Sequence, residues 1–212
     1  MNDVLLPQVS NNCRFCSFNQ WMPAGVRVLN AAVNYNPFSV NIGGTNVAAN
    51  LDQGNITRYV QVNQGFQTVT LTGANGYIYL QKQVYIGDGM TTVAIVNTAS
   101  GLDVISISDT ACATNNFSAC IRVANLAYYS GPVNVSMGNL IFSSVPFQNV
   151  TSFSRVNAGN YTVRISRPQN PGNTLLTLPV NLNSNRIYTL YIMNWNPSAD
   201  AVQTFLVEDR RS

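Results

Sequence analysis

The sequence predicts an all-β protein built from two tandem β-sandwiches with an N-terminal arm in front of them, and three observations carry that prediction. Segments of about 5 to 10 residues alternate apolar and polar side chains and are rich in Val, Ile, Thr and Tyr, as strands with one buried face require. Between them stand turn formers that tolerate positive φ, at Gly43-Gly44, Gly73-Ala74-Asn75-Gly76, Asp88-Gly89 and Gly138-Asn139. Finally, the pattern occurs twice, about 95 positions apart. Val26-Arg27-Val28-Leu29-Asn30 returns as Ile121-Arg122-Val123-Ala124-Asn125, and Ser39-Val40-Asn41-Ile42-Gly43 as Asn134-Val135-Ser136-Met137-Gly138. Tyr59, Thr92, Asn97 and Asp103 align with Phe153, Thr189, Asn194 and Asp200.

Residues 1–24 have no duplicate and form the arm. The first unit, 25–109, carries strands near 26–32, 38–43, 56–62, 66–72, 77–86, 90–97 and 102–108. A small-residue linker, 110–119, leads to the second unit, 120–212, with strands near 120–126, 132–137, 150–156, 160–166, 174–182, 186–194 and 201–207. Seven short strands per unit predict sandwiches of immunoglobulin-like or transthyretin-like type.

Composition narrows the function. Only 9% of the 212 residues are charged, and there is no His, against about 25% charged in ordinary globular chains. Glu208 and Lys82 are the sole Glu and Lys, while Asn occurs 29 times. The groups that usually move protons near neutral pH are nearly missing, so the chain is not expected to be an enzyme. The net charge of +3 comes from scattered Arg with no basic run beyond Arg210-Arg211, so neither nucleic acid nor an anionic membrane surface is indicated. No stretch of about 18 apolar residues predicts a spanning helix. Met1 to Gln20 lacks a basic segment followed by an apolar run, so no signal peptide is predicted, although a mature chain with its leader removed would read the same.

The Val-Arg-Val-Leu-Asn-Ala-Ala segment starting at Val26, the Phe38-Ser-Val-Asn-Ile-Gly segment, the repeated Val-Asn-x-Gly-x-x-Thr-Val at Val62 and Val156, and the late Thr-x-x-x-x-Asn-x-x-x-x-x-Asp pattern resemble a bacterial family catalogued as domain of unknown function 4397, in two tandem copies. The resemblance implies a tandem β-sandwich of an envelope or surface kind and supplies no catalytic residue. Where that family usually has an acidic residue at the second strand, this chain has Ser39-Val40-Asn41-Ile42-Gly43.

Cys13, Cys16, Cys112 and Cys120 lie outside the main apolar runs. The Cys13-Arg-Phe-Cys16 spacing fits redox motifs, but no helix follows to activate the first thiol. A zinc site would need tighter spacing of the second pair. Disulfides, within or between chains, are the preferred reading, with the connectivity open. Isolated Asp88, Asp103, Asp109 and Asp200 make no calcium loop, and no cofactor or metal is expected. Asp103 and Asp200 are read as turn caps before the last strand of each unit. Tyr77/Tyr79, Tyr128/Tyr129 and Tyr188/Tyr191 are candidate stacking pairs, although Tyr188 and Tyr191 fall on opposite strand faces. The sequons at Asn55, Asn116, Asn134, Asn149 and Asn160 are as many as this composition yields by chance.

The leading expectation is a structural, self-assembling subunit of a bacterial surface or spore-associated layer or filament. Its arm, through Val4, Leu5, Leu6, Phe15, Phe18 and Trp21, would add a strand to a neighbouring copy, with disulfides locking the contact. The alternative is a cell-surface adhesin or a module that binds glycan or another partner. Both readings place the protein outside the cell or on a spore surface.

Overall fold

The computed structural model describes residues 23–35, 37–109 and 111–209, so the arm residues Val4, Leu5, Leu6, Cys13, Phe15, Cys16, Phe18 and Trp21 lie outside the described part. The first half contributes β1 (Pro23–Asn30), β2 (Phe38–Ile42), β3 (Thr45–Leu51), β4 (Val60–Asn63), β5 (Gly65–Thr72), β6 (Ile78–Ile86), β7 (Met90–Thr98) and β8 (Gly101–Ser108). The second repeats the series as β9 (Ser118–Asn125), β10 (Val133–Met137), β11 (Leu140–Val145), β12 (Ser154–Asn157), β13 (Gly159–Arg167), β14 (Asn170–Leu182), β15 (Ile187–Asn194) and β16 (Val202–Glu208).

Each half is a sandwich of two four-stranded sheets, ordered β4-β1-β7-β8 over β3-β2-β5-β6, and β12-β9-β15-β16 over β11-β10-β13-β14. Pairing is antiparallel except for β1 with β7 and β9 with β15, which run parallel. The all-β tandem sandwich expected from the sequence is therefore present, with eight strands per half where the pattern had indicated seven.

The added strands are β3 and β11. Their side chains do not alternate cleanly, burying Val47, Ala48 and Leu51 in one and Phe142 and Val145 in the other. Bulges against β2 and β10 break the two-residue period, and Asn50 and Ser144 adopt positive φ. The early parts of the expected 56–62 and 150–156 strands reduce to single bridges, Leu29 with Ile56 and Ala124 with Val150. Regular pairing begins only at Val60 and Ser154.

Alternation along the central strands sorts their residues between two cores. Val26, Val28, Val93, Ile95 and Val104 face β3-β2-β5-β6, and Ile121, Val123, Leu190 and Ile192 face β11-β10-β13-β14. The intervening residues Leu29, Ala94, Val96, Ile107, Ala124, Tyr191 and Met193 meet in a third core that joins the halves. The two inner sheets thus pack on each other, giving four layers. This is why β9 and β15 are buried at every position, their polar residues Ser118, Arg122, Asn125, Thr189 and Asn194 included.

Duplicated polar residues peg the loops. Asn125 donates to the carbonyls of Gly131 and Val145 and accepts from Ala127 N–H. Asn30 does the same with Leu51 and Ala32. Thr57 and Thr151 accept from Val28 N–H and Val123 N–H, and Asn97 and Asn194 accept from Val33 N–H and Tyr129 N–H. Part of the Asn enrichment therefore lies inside the protein rather than on its surface. Asn125→Ala strands three backbone groups and is expected to cost on the order of 3 kcal/mol in urea unfolding. Asn139→Ala, in an exposed turn, should stay within about 0.5 kcal/mol of the parent.

Candidate functional site

Charge concentrates in one place. In the middle of β1, between Val26 and Val28, Arg27 points away from the first core, and Arg122 does the same in β9. Two acids follow the last strand of each half, Asp109 after β8 and Asp209 after β16, tied back by hydrogen bonds from their own N–H groups to the carbonyls of Met90 and Ile187. All four residues are buried.

Their pairing crosses between halves. Arg27 Nη2 meets Asp209 Oδ1 at 2.5 Å, and Arg122 Nη2 meets Asp109 Oδ1 at 2.8 Å. The remaining Arg–Asp distances are 3.6 Å. Each Arg also donates through Nε to the Thr of its own half, Thr92 or Thr189, at 2.8 Å. Those hydroxyls donate onward to Asp109 Oδ2 and Asp209 Oδ2. Arg27 Nη1 reaches the Glu208 carbonyl, and Arg122 Nη1 the Ser108 carbonyl, again across the junction. The guanidiniums lie over aromatic rings, Arg27 on Tyr59 and Arg122 on Phe153, both at 4.6 Å. Two Arg and two Asp balance in charge, and the arrangement repeats about an approximate two-fold axis.

Two substitutions break the symmetry. Tyr59, aligned with Phe153, donates its hydroxyl to Asp109 Oδ2 at 2.8 Å. Tyr191 occupies the place where β7 has the small Ala94, and its hydroxyl reaches Thr92 and Arg27 of the other half. Burial is the first cause of the electrostatic shifts. It pushes the Tyr191 phenol up to about 12, helped by Asp109, and raises Tyr59 further. It also lifts the Asp109 carboxyl above its usual range, against the pull of Arg27. Burial opposes the charge on Arg27, but Tyr191, Asp109, Tyr59 and Asp209 together outweigh it and raise its pKa.

This cluster is closed to solutes and fully engaged, so what it does chemically is hold the sandwiches together. The accessible hollows are of another kind. An open depression of about 540 Å³ between Phe117, Arg155 and Tyr161 contains one charged side chain, and a smaller one of about 240 Å³ beside Tyr85 contains Asp88 alone. Neither sets an acid beside a base. Among the described residues no group of His, Cys, Asp or Glu is arranged to hold a metal ion.

Of the residues singled out in the sequence, Cys112 and Cys120 form a disulfide within the chain. Cys120 sits inside β9 and is fully buried, so it packs as well as links. Asp103 lies within β8 and pairs with Lys82, and Asp200 pairs with Arg167, so both serve surface ion pairs. Asp103 and Asp200 are not structural counterparts. Asp103 faces Val96 whereas its equivalent, Gln203, faces Met193, because the β15–β16 connection is longer than that of β7–β8. The same shift hid the correspondence of Asp109 with Asp209. Tyr77/Tyr79 and Tyr128/Tyr129 are edge-to-face pairs, and Tyr188 and Tyr191 are buried in different cores. The signal for the cluster was present in the sequence as one Arg amid an apolar strand, repeated in the second unit.

The family described as domain of unknown function (DUF4397) matches residues 24–136 and 130–212. No curated protein matches the chain. A solved structure, the carbohydrate-binding module CBMbc (family CBM26) from Eubacterium rectale Amy13K in complex with maltoheptaose, is 11% identical and covers 89% of this chain and 98% of its own, with a TM-score of 0.27. A likeness of that size carries no functional argument.

Removing one partner of a buried ion pair leaves the other charge uncompensated. Asp109→Asn and Arg122→Met are each expected to cost about 3–5 kcal/mol in denaturant unfolding, and the double variant to cost less than the sum. Alkaline pH has a definite sign. Tyr191 is protonated in the folded state up to about 12, whereas an unfolded Tyr ionises near 10. Its contribution is therefore complete below pH 10 and declines as pH rises from about 10 towards 12. Tyr191→Phe should flatten that part of the stability profile.

Proposed function

We propose, from the premise that this chain belongs to the family of domain of unknown function 4397, that it is a non-catalytic module that acts by presenting a rigid, largely uncharged surface to a binding partner. The observation that carries this reading is the location of the charge. The tightest ion-pair network is spent on the junction between the sandwiches, while the first outer sheet, β3-β2-β5-β6, retains Lys82 as its sole charged residue. Catalysis of proton transfer would call for an acid beside a base in a hollow, and the two accessible hollows each contain a single charged side chain, Arg155 or Asp88. The Cys112–Cys120 disulfide fits a protein that works outside a cell or on its surface, where thiols oxidise.

One observation favours a second reading, the self-assembling subunit of a bacterial surface or spore-associated layer or filament. The edge strand β14 (Asn170–Leu182) carries no charged residue, so the usual protection against strand addition rests on Pro171 and Pro179. The segment Val4 to Ser10 has the length and apolar anchors of a donor strand. Negative-stain electron microscopy with size-exclusion light scattering of the oxidised full-length chain separates the two. The binding-module reading expects a uniform 23.1 kDa monomer. Filaments that disappear in a Leu5→Asp/Leu6→Asp variant would replace it with strand addition.

A further inference from the structure

The outer face of β3-β2-β5-β6 has an aromatic pair that the fold does not use. Phe66 on β5 and Tyr85 on β6 stand directly opposite each other. They are 73% and 59% exposed, with ring centroids 5.4 Å apart at 67°. The next rungs on the same face are Thr68 opposite Gln83, then Asn46, Asn41, Thr70 and Gln81 across all four strands. Lys82 points the other way and is held by Asp103 and the Val104 carbonyl. The result is a face of hydroxyls and amides with an aromatic pair at one end and no outward charge on its strands, Asp88 lying in the hollow beside Tyr85.

The duplicate half supplies an internal control. The positions equivalent to Phe66 and Tyr85 are Asn160 and Asn181, opposite each other in the same register, with the Asn181 amide donating to Asn160 Oδ1 at 2.6 Å. The position equivalent to Thr70 is the exposed Arg164. One sandwich therefore folds without aromatics at this site and with a charge on the face, so stability does not require what the first face has.

We infer that this face, centred on Phe66 and Tyr85, binds a neutral polysaccharide. The inference rests on the binding-module reading and gives its partner a chemical class. The apolar C–H faces of a pyranose pack on aromatic rings, while its hydroxyls take the side-chain amides and hydroxyls of the following rungs. A face without outward cations offers no counter-ion to an acidic sugar, which would lose hydration without gaining a partner. An open sheet face also suits a polymer better than the enclosed pockets that hold small ligands.

The test is affinity electrophoresis of the oxidised full-length protein through native gels containing mixed-linkage β-glucan, galactomannan or amylose, with polygalacturonate as the charged comparison. At least one neutral polymer should retard the protein in a salt-independent manner. Phe66→Ala/Tyr85→Ala should weaken that retardation about tenfold or more at an unchanged thermal midpoint, and Asn160→Ala/Asn181→Ala should leave it intact. Absence of retardation by every neutral polymer, or retardation by polygalacturonate alone, overturns the inference. Retardation that survives Phe66→Ala/Tyr85→Ala also overturns it, while leaving the binding-module reading in place. If the same double variant instead abolishes self-association, the face is a contact between copies and both readings fall.

Discussion

The reciprocal exchange of Arg and Asp between the two sandwiches is the constraint around which the rest of this molecule is organised. In an isolated sandwich Arg27 and Arg122 would lie on the sheet face that points away from the core, open to water; docking the two inner sheets buries them and makes an ionic partner obligatory. In this protein each Arg receives its shortest ion pair from the carboxylate at the end of the other half's last strand, and a second one at 3.6 Å from its own half. The closer contact is the one across the junction, since Arg27 is 2.5 Å from Asp209 and 3.6 Å from Asp109. A buried ion pair gives little net stability relative to apolar packing. What it provides is register, because a slipped junction would leave four buried charges without their partners. The apolar residues around it, Leu29, Val96, Ile107, Leu126 and Met193, supply the burial energy.

Rigidity follows from this. Two domains on a flexible linker sample many relative orientations, and interfaces within a chain are commonly mobile. Here the inner sheets are buried on both faces, and the first ends at Ser108, whose carbonyl is itself bound by Arg122 of the second. The Cys112–Cys120 bridge then fastens the short connection to β9. The two outer sheets are consequently held at a fixed separation on opposite sides of a four-layer body. Duplication has left them free to diverge, and they have done so: one bears Phe66, Tyr85 and rows of amides and hydroxyls, the other Asn160, Asn181 and Arg164.

Much of the architecture was legible in the sequence, because alternation and duplication are properties of residue order. Arg27 with Arg122, Thr92 with Thr189 and Tyr59 with Phe153 could be aligned from their neighbours alone. Their convergence could not, since it depends on the inner sheets facing each other and on the acids arriving from opposite halves. Asp109 and Asp209 lie just past the last apolar run of each unit, where a longer turn in the second half throws the alignment out of step. The strands β3 and β11 escaped for a local reason, as bulges and positive-φ residues break the period that announces a strand. Composition alone did not reveal that Asn30, Asn97, Asn125 and Asn194 are buried with their side chains bound to backbone.

The central claim is that the two sandwiches are one cooperative body, and differential scanning calorimetry of the full-length oxidised protein tests it most directly. The account predicts one endotherm with a calorimetric to van't Hoff enthalpy ratio of about 1, as an all-or-none transition requires. Two resolved transitions, each with about half the total enthalpy, would contradict it and return the halves to the status of independent domains.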